Sequence, residues 1–244
     1  MRIAVVSDIH GNRTALEAVI VDLRNLAPDQ ILFGGDLADG GSSPVEVLDR
    51  VRDLGWAGVM GNTDEMLVRP EALDAFAAQS KAPIAMWEKM REIASATRAA
   101  LGEQRLAWLR GLPGDLVLDD AGLALVHARP GDCWRAPAPD ASDADLTTLY
   151  APLERRIVAF GHTHLPSIRR LTGTTPQLVI NTGSVGLPWD GDSRASYLRL
   201  DNGDPTIRRV DYDLEKELAL LSQCDLPGAA WTAKMLRARA PALP

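Results

Sequence analysis

Six short apolar segments recur along the chain, and each is followed at once by a polar cluster. The segments cover residues 3–6, 30–33, 57–60, 123–126, 157–160 and 177–180. They are apolar throughout rather than alternating, which is typical of strands buried on both faces of a sheet. The clusters that follow them are rich in Gly, Asp, Asn and His. The pattern therefore predicts six buried strands that carry polar groups at their carboxyl ends.

Helical periodicity separates the early strands. Residues 14–26 place apolar side chains at 15, 16, 19, 20, 23 and 26, which predicts a helix with Asn12 as its N-terminal cap. Residues 43–54 begin with Ser43 and Pro44, a favourable helix start. Alternating strands and helices predict βαβ units in a largely parallel sheet, where the loops at the carboxyl ends of the strands converge.

The remaining segments complete one domain. Residues 67–110 have a mainly helical pattern, which fits either a helical cap over a site or plain packing on a sheet. Residues 193–211 predict further strands that turn at 201–204, and the tail from Asp213 predicts helix. Since no repeat or linker divides the chain, we expect a single domain over residues 1–244.

The composition narrows the classes of function. With 46% hydrophobic and 24% charged residues and a net charge of −7, the chain is typical of a globular domain and does not favour a stable nucleic-acid partner. No segment has the length of a membrane helix and no signal sequence is evident, so we expect a cytoplasmic protein without a membrane partner. Cys133 and Cys224 form no disulfide framework. Homo-oligomerisation is left open.

All four histidines of the chain directly follow predicted buried strands. They are His10, His127, His162 and His164, and Asp8, Asp36 and Asn62 occupy equivalent places. Clustered imidazoles and carboxylates mark metal or catalytic sites. A carboxylate has two oxygens with which to bridge a pair of cations, and neutral imidazoles complete the sites without excess negative charge. These seven side chains therefore predict a site for two metal ions.

Two tripeptides each offer a pair of ligands. Asp8 and His10 are separated by one residue, as are His162 and His164. Side chains at i and i+2 point the same way from an extended segment, so we expect both tripeptides to be extended and to direct two ligands to one place.

Five motifs, in this order, carry a resemblance to a known family. They are Asp8-x-His10, Gly35-Asp36, Gly61-Asn62-x-Asp64, His127 and Gly161-His162-x-His164. Together they resemble the calcineurin-like metallophosphoesterase superfamily, over residues 1 to about 201. The segment Asn181-Thr182-Gly183-Ser184 and its continuation are similar to the small bacterial and archaeal phosphodiesterase branch. The resemblance implies an α/β fold of four layers, an αββα sandwich of two facing sheets flanked by helices.

The resemblance also implies metal ligands. One metal would be bound by Asp8, His10, Asp36 and His164, and the other by Asp36, Asn62, His127 and His162, with Asp36 as the bridge. Ligands of mixed nitrogen and oxygen without thiolate fit Mn, Fe, Zn, Ni or Co, and disfavour an all-oxygen Mg or Ca site. We expect Mn first among these.

The implied reaction is in-line attack of metal-bound hydroxide on phosphorus, without a covalent enzyme intermediate. Asp36, Asn62, Thr63 and Asp64 form the predicted catalytic set, and Asn12 is expected to help position phosphate. Many members of the superfamily have His where this chain has Thr63. Because Thr only hydrogen-bonds near neutral pH, general acid assistance worth roughly 10²- to 10⁴-fold in rate is lost unless another donor serves. Thr63 and Asp64 equally fit a hydrogen-bonded helix cap.

Two further positions depart from the pattern of the relatives. Arg129 follows His127 where relatives often have a small residue, and it fits either a bidentate clamp on substrate phosphate or an ion pair with a surface acid. Trp189 fits either stacking on a base or aryl group or plain packing, with packing favoured.

The leading hypothesis is a phosphodiesterase that acts on small phosphate esters. The alternatives are a phosphomonoesterase or protein phosphatase with the same metals, and a non-catalytic scaffold on the same fold.

Overall fold

The computed structural model describes all of residues 1–244. Its ten strands are β1 (Arg2–Val6), β2 (Gln30–Phe33), β3 (Ala57–Gly58), β4 (Asp115–Leu118), β5 (Leu123–Val126), β6 (Ile157–Phe160), β7 (Ser167–Arg170), β8 (Leu178–Asn181), β9 (Ala195–Asp201) and β10 (Asp204–Val210). Its α-helices are α1 (Arg13–Leu26), α2 (Pro44–Asp53), α3 (Asn62–Val68), α4 (Pro70–Ala77), α5 (Ile84–Arg110), α6 (Asp143–Tyr150), α7 (Leu214–Gln223) and α8 (Ala229–Ala238). None of these helices is both long enough and apolar enough to cross a membrane.

The strands form two five-stranded mixed sheets. The first has the order β10-β9-β1-β2-β3 and the second the order β4-β5-β6-β8-β7. In each sheet three neighbouring strands are parallel, and each of the other two strands runs antiparallel to its neighbours. The six predicted apolar segments are these six parallel strands, so the prediction of a parallel core is confirmed. They are divided between two sheets instead of lying in one.

Alternate residues of the central strands face different layers. Ile3 and Val5 of β1 lie in the core between the two sheets, whereas Ala4 and Val6 pack against helices on the outer side of the first sheet. In the second sheet, Leu125 of β5 faces the core between the sheets and Val126 packs against the outer α6. Continuous apolar runs thus arise because both faces of each strand are covered. The result is the expected α/β sandwich with αββα layers.

Helix α1 shows how local sequence sets an element boundary. Asn12 caps it, since its Oδ1 accepts a hydrogen bond from the Ala15 amide at 2.9 Å. The predicted stripe packs onto the first sheet, and Leu16 and Ile20 are among its buried residues. Helix α2 begins at Pro44 as predicted, although the Ser43 side chain makes no capping hydrogen bond.

The predicted helical segment consists of α4, α5 and part of α3. Gly102 has φ +68° within α5, so this long helix is broken there by one left-handed residue. Leu67, Leu101 and Leu106 lie in the same large core as the helices of the first sheet. These helices therefore pack on the sheet, and some of their side chains also reach the site described below.

Several elements differ from the prediction. Strand β3 ends at Gly58 instead of continuing to Met60, because the Met60 amide turns away to donate to the Pro113 carbonyl at 2.9 Å. Strands β4 and β7 are partly exposed along their length. They lie at the two edges of the second sheet, and edge strands show no continuous apolar run.

Candidate metal centre

The seven predicted ligand residues lie where strands of both sheets end. Asp8 follows β1, Asp36 follows β2 and Asn62 is the first residue of α3 after β3. His127 follows β5 directly, while His162 and His164 follow β6. The two sheets present their carboxyl ends at one side of the sandwich, so residues more than 150 positions apart in sequence come together.

Asp8, His10 and His164 form the first group. The Nε2 atoms of His10 and His164 are 3.2 Å apart, and His164 Nε2 lies 3.3 Å from Asp8 Oδ1. One atom from each of the three residues lies within 4.8 Å of the other two. Two ligands of one cation, each about 2.1 Å from it, take up a separation of this size. The first group therefore fits one metal ion.

Asn62, His127 and His162 form the second group. Asn62 Oδ1 is 2.9 Å from His127 Nε2 and 2.8 Å from His162 Nδ1. The two imidazoles approach each other to 3.2 Å through the same nitrogens. One amide oxygen and two ring nitrogens thus surround a second small space.

Asp36 lies between the two groups. Its Oδ2 is 3.6 Å from Nε2 of His10 in the first group and 3.5 Å from Nε2 of His127 in the second. Its Oδ1 accepts a hydrogen bond from the Thr63 amide at 2.9 Å. The carboxylate is therefore held in the position that a bridging ligand requires.

Backbone carbonyls fix the tautomer of three imidazoles. Each Nδ1 atom donates a hydrogen bond to a backbone carbonyl oxygen: that of His10 to Asp39 at 2.9 Å, that of His127 to Gly34 at 2.7 Å, and that of His164 to Leu187 at 2.5 Å. A carbonyl oxygen only accepts, so in the neutral ring Nε2 carries a lone pair. Metal-binding histidines are oriented in this way.

In the neutral tautomers that the carbonyls set, lone pairs of the two groups face one another, although, against the effect of burial, the Asp36 and Asp8 carboxylates raise the pKa of His127. His10 Nε2 meets His164 Nε2, and His127 Nε2 meets the Asn62 carbonyl oxygen. Buried acceptors in such contact repel each other unless a cation or a proton separates them. The donor set thus fits a pair of metal ions.

The charges of the site favour bound cations. Burial alone would raise the pKa of Asp8, but the adjacent imidazoles, His164 foremost, lower it below its ordinary value. Loss of hydration, together with the neighbouring His127, lowers the pKa of His162 to about 4. Asp8 is therefore ionised and His162 neutral at pH 7, the states that metal coordination needs.

The ligand backbone is left-handed at most positions, contrary to the expectation of extended tripeptides. The φ values are +55° at Asp8, +48° at His10, +55° at Asp36, +66° at His162 and +58° at His164. Left-handed residues other than Gly cost about 1 kcal/mol or more each and concentrate at functional sites. The paired ligands do converge, but tight turns after the strands direct them, because an extended chain would carry the second ligand away from the sheet edge.

Asp64 anchors the loops that present the ligands. Its carboxylate is fully buried and accepts hydrogen bonds from the amides of Asp36 at 2.7 Å, Leu37 at 3.0 Å and Gly61 at 3.0 Å. Burial and the nearby Asp36 charge raise its pKa to about 6. The contacts of Asp64 correspond to the capping alternative, and a direct catalytic role stays a prediction.

Thr63 presents only backbone contacts to the ligand set. The Thr63 Oγ1 atom is buried without a hydrogen-bond partner. Thr63 also lines the pocket above the predicted ligands. The Thr63 hydroxyl therefore makes no hydrogen bond within the protein.

The predicted substrate-binding residues have partners within the protein. Asn12 uses both amide atoms, since Oδ1 caps α1 and Nδ2 donates to the Gly186 carbonyl at 2.9 Å. Arg129 pairs with Asp132 at 2.6 Å and is not among the residues that line the pocket of the ligand set. A phosphate contact of either residue stays a prediction.

A pocket of about 390 Å³ opens above the ligands. Five ligand residues line it, namely His10, Asp36, Asn62, His162 and His164. The other walls come from α4 and α5, with Phe76 and Trp87, and from α8, with Trp231 and Met235. The segment 67–110 therefore contributes part of the pocket wall.

Sequence reasoning missed two features of this pocket. Asp39 lines it, orients His10 through its carbonyl and has a buried carboxyl whose pKa burial raises to about 7. Its place three residues after Asp36, in the same polar cluster, was a usable signal. The wall from α8 had no such signal, because an amphipathic helix does not reveal what it packs against.

Comparison with known proteins gives consistent relatives. An uncharacterised protein of Methanocaldococcus jannaschii is 31% identical over 243 residues, covering 92% of this chain and 93% of that protein. A symmetrical bis(5′-nucleosyl)-tetraphosphatase of Methylococcus capsulatus is 30% identical over 154 residues, 62% of this chain and 51% of that enzyme. The crystal structure of a metallophosphoesterase from Sphaerobacter thermophilus has a TM-score of 0.76 at 25% identity, covering 98% of this chain and 100% of that one.

The model of the calcineurin-like phosphoesterase superfamily domain matches residues 1–204, which contain all seven predicted ligand residues. The expected resemblance is thereby confirmed, and the chain belongs to the calcineurin-like phosphoesterase superfamily.

Proposed function

We propose that this chain is a phosphodiesterase that hydrolyses small phosphate esters at a centre of two transition-metal ions. One ion is held by Asp8, His10, His164 and Asp36, and the other by Asp36, Asn62, His127 and His162. Manganese is the first candidate among Mn, Fe, Zn, Ni and Co, because the donor set mixes nitrogen and oxygen and contains no thiolate.

The observation that carries the proposal is the close contact between donor atoms that only a cation or a proton can separate. The Nε2 atoms of His10 and His164 lie 3.2 Å apart, and His127 Nε2 lies 2.9 Å from Asn62 Oδ1. Asp36 Oδ2 lies at nearly equal distances, 3.6 and 3.5 Å, from the two groups. A site for a single ion would not need a carboxylate held between two such groups.

The charge of the pocket supports a diester over a monoester. None of its lining residues is Lys or Arg, whereas Asp36 and Asp39 both line it. A phosphomonoester brings about two negative charges near neutral pH, and a diester brings one. The metal ions would offset the charge of the oxygens that they bind, but no cationic side chain of the pocket would offset the second charge of a monoester, so the diester is the better match.

Bound metal ions would lower the pKa of water and offset the charge of the phosphoryl oxygens. The side chains and loops of the protein would position the reacting groups relative to one another. Asp64 fixes the Asp36 and Gly61 loops through three amide hydrogen bonds. His162, the half-buried histidine of the set, lies at the open side of the second group. Such positioning is worth several powers of ten in rate when the reacting atoms are aligned.

The leaving group receives no proton from Thr63, whose hydroxyl does not ionise near neutral pH. Esters whose alcohol departs readily as an anion, such as phenols, should therefore react faster than alkyl esters.

The test combines metal analysis with a substrate pair. We expect the reconstituted chain to bind two equivalents of Mn²⁺ and to hydrolyse bis(p-nitrophenyl) phosphate faster than p-nitrophenyl phosphate, and a chelator should remove both properties. Faster turnover of the monoester would instead favour a phosphomonoesterase. If no metal binds after reconstitution, the catalytic proposal fails and a scaffold role is favoured.

A further inference from the structure

The pocket above the ligands has an unusual concentration of aromatic side chains. The chain has six Trp residues, and four of them, Trp87, Trp134, Trp189 and Trp231, line this one pocket together with Phe76. Three Met residues complete its apolar wall. Since only 5% of the chain is aromatic, the pocket has a built surface for a flat apolar group.

The aromatic wall continues directly from the metal ligands. The Trp189 ring stacks on the His164 ring, with centroids 4.0 Å apart and planes at 24°. Phe76 meets Trp134 at 5.0 Å and 32°, and Trp87 edge-on at 5.8 Å and 76°. A group attached to a phosphate at the ligands would therefore enter between aromatic rings.

Helix α8 closes the pocket from the C-terminal side. The Thr232 hydroxyl donates to the Gly40 carbonyl at 2.5 Å, which ties α8 to the loop after Asp36. The Trp231 indole N–H donates to the Ala242 carbonyl at 2.7 Å and fixes the tail. This wall lies beyond residue 204, where the match to the family model ends.

Two indole groups of the pocket have no partner in the protein. The Nε1 atoms of Trp87 and Trp189 are buried without an acceptor, whereas Trp134 donates to Glu65 and Trp231 to Ala242. Buried N–H groups without an acceptor are uncommon and need an explanation. Both nitrogens are closed to solvent, so the pocket offers a ligand stacking on the ring faces and not these N–H groups.

We propose that the pocket binds a planar aromatic ester group of the substrate, and that Trp231 of α8 is a specificity-determining residue for it. This inference rests on the proposed function, because it assumes that phosphate sits at the ligand set. It also narrows the substrate class to esters with one phosphate. A second phosphate in the pocket would meet no Lys or Arg, unlike the chain of phosphates implied by the name of the Methylococcus relative.

Phosphonate binding tests the inference without any chemical step. Isothermal titration calorimetry on the full chain reconstituted with Mn²⁺ would compare methylphosphonate, cyclohexylmethylphosphonate and benzylphosphonate, each used as its singly charged O-methyl monoester, which matches the charge of a diester. These share one headgroup and differ only in the attached group. We expect benzylphosphonate to bind roughly 10- to 100-fold more tightly than methylphosphonate, as the burial of one aromatic ring predicts. The cyclohexyl compound should bind more weakly than the benzyl compound, because stacking requires a flat ring.

Variants separate the role of Trp231 from general packing. Trp231→Ala should reduce the benzyl-to-methyl affinity ratio at least about fivefold and leave methylphosphonate binding unchanged, and Trp231→Phe should restore most of the ratio. Trp56, a partly buried Trp beside Leu116 and Val117, away from this pocket, provides the matched control. Trp56→Ala should leave the ratio unchanged.

Each result distinguishes the two proposals. Equal affinity for methyl- and benzylphosphonate in the wild-type chain would overturn the inference, even if diesters are hydrolysed. Binding of neither phosphonate would also overturn it. Preferential binding of benzylphosphonate by a chain that turns over no ester would support the aromatic pocket and refute the proposed catalysis.

Discussion

Replacing Gly61 with alanine adds one methyl group that should displace Asp36, the proposed bridging carboxylate. The Gly61 backbone has φ −92° and ψ 173°, a conformation that alanine adopts without strain. An added Cβ, however, would lie 2.0 Å from Asp36 Oδ1 and 2.4 Å from the Asp36 amide nitrogen. The perturbation is therefore steric and acts mainly on Asp36.

The size of the displacement follows from these distances. The contact with Oδ1 must open from 2.0 Å to beyond 3.0 Å, so Asp36 or the Gly61 loop moves by about 1 Å. Metal–ligand distances tolerate only about 0.2 Å, and a misplacement of about 1 Å at a reacting centre costs on the order of 10²-fold in rate. We expect Gly61→Ala to weaken Mn²⁺ binding by roughly 10- to 100-fold and to lower kcat by about 10²-fold. Overpacking should cost about 1–3 kcal/mol of stability.

Calorimetric Mn²⁺ titration, turnover of bis(p-nitrophenyl) phosphate and urea unfolding measure the three effects. Gly114→Ala is the matched control, because a Cβ at this exposed glycine meets no atom within 4 Å. The control should bind metal and turn over substrate as the wild type does. Wild-type metal affinity in a folded Gly61→Ala chain would refute the assignment of Asp36 as a ligand held by close packing.

Three further substitutions test the site and the fold. His162→Ala should abolish turnover while the far-UV circular dichroism spectrum stays native, and unchanged turnover would exclude His162 from the centre. Thr63→His should raise kcat on alkyl diesters by up to roughly 10²-fold through general acid assistance and change aryl diesters little; an equal drop on both would show that Thr63 only packs. Burial would raise the pKa of Asp22, but hydrogen bonds from Arg208 and Tyr197 lower it below the ordinary value of 3.8. The ionised Asp22 therefore contributes its full stabilisation above about pH 4, and this stabilisation is lost as the pH falls further. Asp22→Asn should therefore cost about 1.5–3 kcal/mol in urea unfolding at pH 7 and progressively less below about pH 4; a cost independent of pH would contradict this account.

The sequence predicted the six parallel strands because burial on both faces leaves a continuous apolar run. It also predicted the convergence of the ligands. His127 comes directly after β5, and His162 comes two residues after the end of β6. Parallel strands end on one side of a sheet, so residues that follow them lie close together. Both predictions rest on local pattern combined with a general rule of topology. The edge strands β4 and β7 lack that pattern, because one side of each is exposed to solvent.

Other features depend on tertiary contacts that no local pattern encodes. The left-handed backbone of Asp8 and His164 is imposed by the loops packed around them, and nothing in the tripeptide sequences distinguishes it from extended chain. Trp231 reaches the pocket from α8, far along the chain from the ligands. Its contribution depends on how α8 docks, through a buried cluster shared with α7 and Leu187 and through the hydrogen bond from Thr232 to Gly40.

Contacts within the folded protein hold the side chains of the centre in their directions. Left-handed φ at five ligand residues is sustained only where the surroundings over-determine the backbone. Here the surroundings are the buried strands, the carbonyls that hold three imidazoles and the Asp64 carboxylate that holds two loops. Since the first sheet supplies Asp8 and Asp36 while the second supplies His127 and His164, packing of the two sheets sets the distance between the groups. The chain thus sets the directions of the donor atoms, and bound cations would remove the repulsion between those that face one another.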